Sequence, residues 1–151
     1  MLTNESSGMV SLLRPPDWRV VRDTDADLVI AAPDARWLAE GTFRPNVTAT
    51  VFPFSGSAAQ LSTSILASLL TSLTDPYLIS VDYLDQAPAL RRLEYAHAGT
   101  GGSIHCMSLV LLANRTACTV TASCASGQLS AYDEVLDLIL TSAALKDLPD
   151  A

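Results

Sequence analysis

The pattern of hydrophobic and polar residues predicts strands in the first third of the chain. Two short apolar runs, at 18–21 and 28–31, flank an acidic turn at 23–27, which is typical of a hairpin. Farther along, Pro45 has a ring that fixes its backbone, and it precedes an alternation of apolar residues at 47, 49 and 51. We therefore expect a rigid corner at 43–46 that leads into a buried strand ending near Phe54.

The period then changes to that of a helix. Apolar side chains recur at every fourth position, with further leucines at 66 and 70: Leu61, Ile65, Leu69 and Leu73. This spacing predicts an amphipathic helix over residues 58–73, preceded by a serine cap. Asp75-Pro76 is expected to end it, because proline cannot continue a helix.

Strand-like alternation returns in the second half of the chain. We predict strands at 77–83, around 93–95, at 104–113 and at 116–125. A turn at Asn114-Arg115 joins the last two into a long hairpin. The final strand is rich in β-branched residues and is expected to present four side chains on one face: Cys118, Val120, Ala122 and Cys124.

A second helical pattern follows. The segment 130–133 has the form of a capping box, and the apolar residues after it line one helical face up to about Leu145: Tyr132, Val135, Leu136, Ile139, Leu140 and Ala143. This order of elements predicts an α+β fold, a single twisted antiparallel sheet whose apolar face is covered by two helices. One domain is expected over residues 10–146, with flexible termini at 1–9 and 147–151.

Composition and charge exclude several function classes. The 151 residues are 49% hydrophobic and 17% charged, which favours burial against a partner or a second copy. Lys+Arg 9 against Asp+Glu 16 gives a net charge of −7, which opposes binding to nucleic acid. No window reaches the roughly 18 to 20 apolar residues of a membrane span. Because no secretory signal opens the chain, we expect a cytoplasmic protein, or one exported by a leader that this sequence does not include.

Five segments, taken in order, resemble a known family. They are the Pro15-Pro16-Asp17-Trp18 segment, the corner at 43–47, the helix after Ser57, the strand at 119–122 and the helix end at 139–142. Together they resemble the LpqN/LpqT family of actinobacterial proteins, which has a PsbP-like fold. The resemblance implies a twisted antiparallel sheet with helices packed against it. It also implies a binding or assembly role, and it supplies no catalytic residues.

One acidic motif suggests a metal site. Asp23, Asp25 and Asp27 have the spacing that opens a calcium-binding loop, in which alternate carboxylates converge on one ion. The sixth position of such a loop is glycine, but here it is Leu28, and the twelfth is Asp34 in place of glutamate. We therefore expect a solvated hairpin turn and no metal site.

His105 and Cys106 suggest a thiol nucleophile beside a base. Adjacent side chains in a strand leave opposite faces, so these two cannot bond to each other directly. His97 could approach one of them from the preceding strand, but no Asp or Asn is placed to orient it. We expect structural roles for all three residues and no enzymatic activity.

The length of the hairpin turn decides whether two cysteines can meet. A three-residue turn places Cys106 directly opposite Cys124, whereas a two-residue turn sends them to opposite faces. Free, buried thiols are expected for both and for Cys118, because no export signal is present.

Arg44 and Asn46 are candidates for an anion site. The backbone groups at the corner also need hydrogen-bond partners, and we expect these two side chains to bond to the backbone there.

The sequence lacks the glycine-rich, serine-elbow, Cys-x-x-Cys and zinc-helix motifs of common catalytic sites. It therefore predicts a non-catalytic protein-interaction or assembly module without a cofactor, acting as a homodimer or with a protein partner. The alternative is a small carrier of an apolar ligand or lipid bound between sheet and helix.

Overall fold

The computed structural model describes residues 1–22, 24–33 and 43–146. Its strands are β1 (Thr3–Ser7), β2 (Val10–Arg14), β3 (Arg19–Val20), β4 (Leu28–Ala31), β5 (Asn46–Pro53), β6 (Tyr77–Tyr83), β7 (Ala89–Gly99), β8 (Gly102–Ala113), β9 (Thr116–Ala125) and β10 (Ala144–Leu145). The helices are α1 (Ala58–Ser72) and α2 (Leu129–Thr141), and one turn of 3₁₀ helix, Ser126–Gln128, leads into α2.

Seven strands form the main sheet, in the order β3-β4-β5-β9-β8-β7-β6. Every neighbouring pair in it is antiparallel, so the predicted α+β class with an antiparallel sheet and two packed helices is confirmed. A second sheet, in the order β1-β2-β10, joins the two ends of the chain.

The β8–β9 hairpin aligns the central strands. A two-residue turn at Asn114 and Arg115 joins the arms, and Ala113 lies opposite Thr116. Both turn residues have positive φ, 49° and 61°. That is the geometry of a type I′ turn, whose twist matches the twist of the strands it connects. Because side chains alternate along a strand, this register determines which residues of β9 point to one face of the sheet and which point to the other.

One face of the main sheet packs against α2 and the small sheet. The predicted set Cys118, Val120, Ala122 and Cys124 all lie in this core, which confirms their shared face. Helix α2 contributes four buried residues: Tyr132, Leu136, Ile139 and Leu140. Trp18 meets Tyr132 edge to face, with ring centroids 6.3 Å apart, a favoured aromatic geometry. Strand β2 adds two fully buried side chains to the same core, Val10 and Leu12.

Helix α1 lies on the opposite face, over a smaller core. Its predicted serine cap is confirmed: Ser57 Oγ accepts a bond from Gln60 N, and Gln60 Oε1 accepts one from Ser57 N. Only Leu61 and Ser62 of this helix are buried. The sequence predicts both helices on one apolar face, yet β8 is buried at every position from 104 to 111. Such a strand has two apolar faces, so each helix covers one of them.

Two further expectations need correction. The ordered fold begins at Thr3 and not at residue 10, because β1 pairs with β2 along its whole length. Ser130 does not cap the last helix, which begins at Leu129 after the 3₁₀ turn. Residues 147–151 lie outside the described ranges. Within those ranges, no helix combines the length and hydropathy that crossing a bilayer requires.

We call the core between the main sheet and α2 the α2 core, and we expect it to contribute most of the free energy of unfolding. Leu136→Ala should lower the free energy of unfolding by about 2–5 kcal/mol, because it removes a fully buried side chain from that core. Leu138 is 43% exposed on the same helix, so Leu138→Ala should change the free energy of unfolding by no more than about 0.5 kcal/mol. Urea denaturation of both variants checks this, and equal losses would contradict the assignment of the α2 core.

Candidate functional site

A groove of about 300 Å³ separates α1 from the sheet, and we call it the α1 groove. The helix lines it with Ser64, Ile65 and Ser68, and the sheet lines it with Tyr95, Ser108 and Thr121. The groove exists because α1 rests on the smaller core at Leu61 while most of its remaining apolar side chains are only half-buried.

Hydroxyl groups form the floor of the α1 groove. Tyr95 Oη lies 3.0 Å from Ser108 Oγ, which lies 2.7 Å from Thr121 Oγ1. The three residues come from β7, β8 and β9, and each points toward α1 because the register places it there. Burial raises the pKa of the Tyr95 hydroxyl, so this group stays neutral and able to donate a hydrogen bond. The floor can therefore bind a neutral polar group beneath an otherwise apolar ligand.

Cys106 lies on the same face but is poorly suited to act as a nucleophile. Its Sγ is 3.4 Å from Ser123 Oγ, and burial raises the pKa of the thiol. His105 points to the α2 face, where its Nε2 lies 2.8 Å from Glu94 Oε1. His97 Nδ1 lies 3.3 Å from the Ala98 carbonyl oxygen. The structure thus separates the Cys106 and His105 side chains as predicted.

The three cysteines are free and buried, as expected from the sequence. The two-residue turn sets Cys106 opposite Ser123 and Cys124 opposite His105, so the two thiols leave opposite faces. Burial raises the pKa of Cys118 to about 12 and that of Cys124 to about 11. All three groups therefore remain protonated thiols at neutral pH.

One residue of the acidic turn before β4, Asp27, bonds to the backbone of β5. Asp27 Oδ2 accepts a 2.7 Å bond from Val51 N, and Asp27 N donates to the Ala49 carbonyl. Asp25 is exposed, and Asp23 and Asp34 lie outside the described residues. In the part of the chain that the structure describes, no three His, Cys, Asp or Glu side chains cluster closely enough to hold a metal ion.

The corner before β5 uses Asn46 for backbone bonding. Its Nδ2 donates to the Arg44 carbonyl oxygen at 3.0 Å, and its Oδ1 accepts from Thr48 Oγ1 at 3.3 Å. The Pro45 carbonyl accepts from Ala32 N and thereby ties the corner to the residue that follows β4. The structural role predicted for Asn46 is confirmed.

A second candidate surface lies at the outer strand of the main sheet, and we call it the β6 edge. Five large apolar side chains are exposed there and at the adjoining end of α1: Leu70, Tyr77, Leu78, Ile79 and Tyr83. The Arg91 guanidinium stacks over the Tyr83 ring, 4.2 Å from its centroid. Among the described strands, β7 alone pairs with β6, which leaves its other side open.

The sequence predicts a ligand between sheet and helix as an alternative function, but its patterns reveal neither the hydroxyl floor of the α1 groove nor the β6 edge. The hydroxyl floor depends on the pairing of three strands, and the one signal in the sequence that could have indicated it is the alternation of Thr119, Thr121 and Ser123 with apolar residues on β9. The β6 edge depends on the strand order, since a pattern of alternating residues does not distinguish an edge strand from a central one.

No protein-family model matches the sequence, and no curated protein matches it. Solved structures do resemble it. LpqN of Mycobacterium tuberculosis, involved in cell envelope biogenesis, superposes with a TM-score of 0.67 over 97% of this chain and 91% of its own, at 13% identity. Cyanobacterial PsbP from Synechocystis sp. PCC 6803 gives a TM-score of 0.65 over 95% and 92% of the two chains, at 16% identity. The fold is PsbP-like, and it is related to that of LpqN.

A yeast protein has a similar fold. The Saccharomyces cerevisiae Ran-binding protein Mog1p superposes with a TM-score of 0.62 over 97% of each chain, at 12% identity. At such identities the likeness concerns the fold, and function has to be argued from the surfaces of this chain.

Proposed function

We propose that this PsbP-like chain is a non-catalytic binding module that contacts a partner protein through the β6 edge. One observation carries the proposal: of the nine large hydrophobic side chains exposed in the described residues, five lie on β6 and the adjoining end of α1. Exposed apolar residues scattered singly are normal, whereas several grouped along one edge of a sheet are typical of an interaction site.

The chemistry of these side chains suits an interface. Tyr77 and Tyr83 are 68% and 75% exposed, and tyrosine combines a large apolar area with a polar tip. Such residues are enriched where proteins bind each other. Arg91, stacked on Tyr83, adds a residue type that is also enriched at binding hot spots.

The similar structures support a binding role without defining it. Mog1p is a Ran-binding protein, and LpqN is involved in cell envelope biogenesis. The homodimer and the cytoplasmic location expected from the sequence stay predictions.

Site-specific photo-cross-linking tests the proposed surface. A photoreactive amino acid at Ile79 should form a discrete adduct with a partner protein in cells that express the chain naturally, because this exposed position lies on the β6 edge. The matched control is Leu138, which is similarly exposed on α2 (46% for Ile79 against 43% for Leu138). Equal adduct patterns from both positions would refute the proposal, and an adduct with a second copy of the chain would identify the partner as itself.

A second candidate function is carriage of a small ligand with an apolar body and a polar group, and the α1 groove favours it. The groove volume lies at the lower end of the range of ligand pockets, about 300–1,000 Å³. Its hydroxyl floor beneath the half-buried side chains of α1 would orient such a ligand.

Filling the groove tests this second function. Ser64→Trp should weaken saturable binding of the fluorescent probe N-phenylnaphthylamine by at least about tenfold, equivalent to about 1.4 kcal/mol, because the indole would occupy the ligand space. Ser72→Trp, at the end of the same helix and outside the groove, should leave binding unchanged. Fluorescence titration measures both, and carriage would be excluded by a wild-type protein that shows no saturable binding.

A further inference from the structure

Strand β6 presents open backbone groups as well as apolar side chains. Leu84 N donates to the Leu90 carbonyl at 3.0 Å, just beyond the end of the strand. Directly bonded pairs recur at every second residue of an antiparallel ladder, so Asp82 opposite Arg92 belongs to this bonded set. Val81 and Tyr83 lie between the bonded pairs and direct their N–H and C=O groups away from β7. These groups are positioned to pair with another extended chain.

The two ends of the main sheet differ in how they discourage such pairing. Strand β3, at one end, has only two residues, and very short edge strands are a common protection. Strand β6, at the other end, has seven residues and contains neither lysine nor proline. Its one irregularity is the register shift between Leu78 and Ser80, which leaves the later half of the strand in regular pairing.

The charge around β6 indicates what kind of chain would pair there. Asp75, Asp82 and Asp85 are exposed on the strand and in the segments that adjoin its two ends. Of the two nearest cations, Arg92 pairs with Asp137 of α2, whereas Arg91 stacks on Tyr83 and keeps its charge at this edge, so the edge carries three carboxylates against one arginine. A second copy of this chain would bring the same three carboxylates to the interface, at a net charge of −7 for each copy. Complementarity therefore favours a basic partner.

We infer that β6 binds an extended segment of another protein by strand addition, and that this segment carries lysine or arginine on both sides of alternating apolar residues. Backbone bonds to Val81 and Tyr83 would extend the sheet by one strand, and the exposed carboxylates would select the basic flanks. This inference rests on the proposed function, because it specifies the partner of the same β6 edge.

Designed peptides test the inference with the full chain. The first probe is a peptide in which valine and threonine alternate between two lysine pairs, and its control carries glutamate in place of lysine. The lysine peptide should shift the amide resonances of β6, and the glutamate peptide should bind at least about tenfold more weakly. Raising the salt concentration should weaken the lysine peptide further, because exposed charges are screened.

Two variants separate backbone pairing from side-chain contact. Tyr83→Pro removes an outward N–H that β7 does not use, whereas Tyr83→Ala removes the ring and keeps that N–H. We expect Tyr83→Pro to bind the lysine peptide more weakly than Tyr83→Ala does. Thermal unfolding of both variants checks that they fold. A third variant, Asp82→Asn, should weaken binding and reduce its dependence on salt, and it keeps the backbone intact.

Several outcomes would overturn strand addition. These are equal binding of both peptides, resonance shifts that map away from β6, no binding at all, or equal affinities of the proline and alanine variants. Sedimentation that shows a dimer broken by Tyr83→Pro would instead make a second copy the occupant. If no peptide binds while Ile79 still cross-links a partner protein, the binding module stands and the strand-addition inference fails.

Discussion

The two-residue turn at Asn114 and Arg115 determines how the main sheet divides into two faces. It pairs Ala113 with Thr116 and thereby fixes the register of β8 against β9. A slip of one residue would move Cys118 and Val120, both fully buried in the α2 core, to the opposite face. It would also carry Thr119 and Thr121 into that core, where the Thr121 hydroxyl would lose its contact with Ser108. The register is therefore enforced by the apolar contacts on one side and by the hydroxyl contacts on the other.

The two faces of the sheet carry separate cores, and the helix over one core is more fully buried than the helix over the other. On one face α2 buries four side chains, and Arg92 ties this helix to β7 through Asp137. On the other face α1 buries only Leu61 and Ser62, because polar hydroxyls occupy much of the sheet beneath it. A helix with fewer buried contacts opens at a lower free-energy cost. Both candidate surfaces, the α1 groove and the β6 edge, lie on or beside this less completely packed side.

Sequence patterns predicted the elements better than their assembly. The alternation that leads into β5 and the serine cap of α1 depend on neighbouring residues, so they are visible in the sequence. The sequence pattern does not predict strand β1, because Thr3–Ser7 are mostly polar and pair only with β2 in the small sheet. The sequence pattern places the start of α2 too late, because Gln128, and not Ser130, bonds to the backbone before the helix, accepting from Ala125 N. The hydroxyl floor brings together Tyr95, Ser108 and Thr121, whose contact follows from strand pairing that periodicity does not encode.

Native-state hydrogen exchange, measured for individual amides, compares how tightly the two faces of the sheet are packed. If the two faces differ as described, the amides of α1 exchange through openings of distinctly lower free energy than those of α2 and of the central strands β8 and β9. The amides of α2 should then open only at a free energy close to that of global unfolding. Equal protection of α1 and α2 would contradict the account, because it would mean that both faces of the sheet are packed to the same degree.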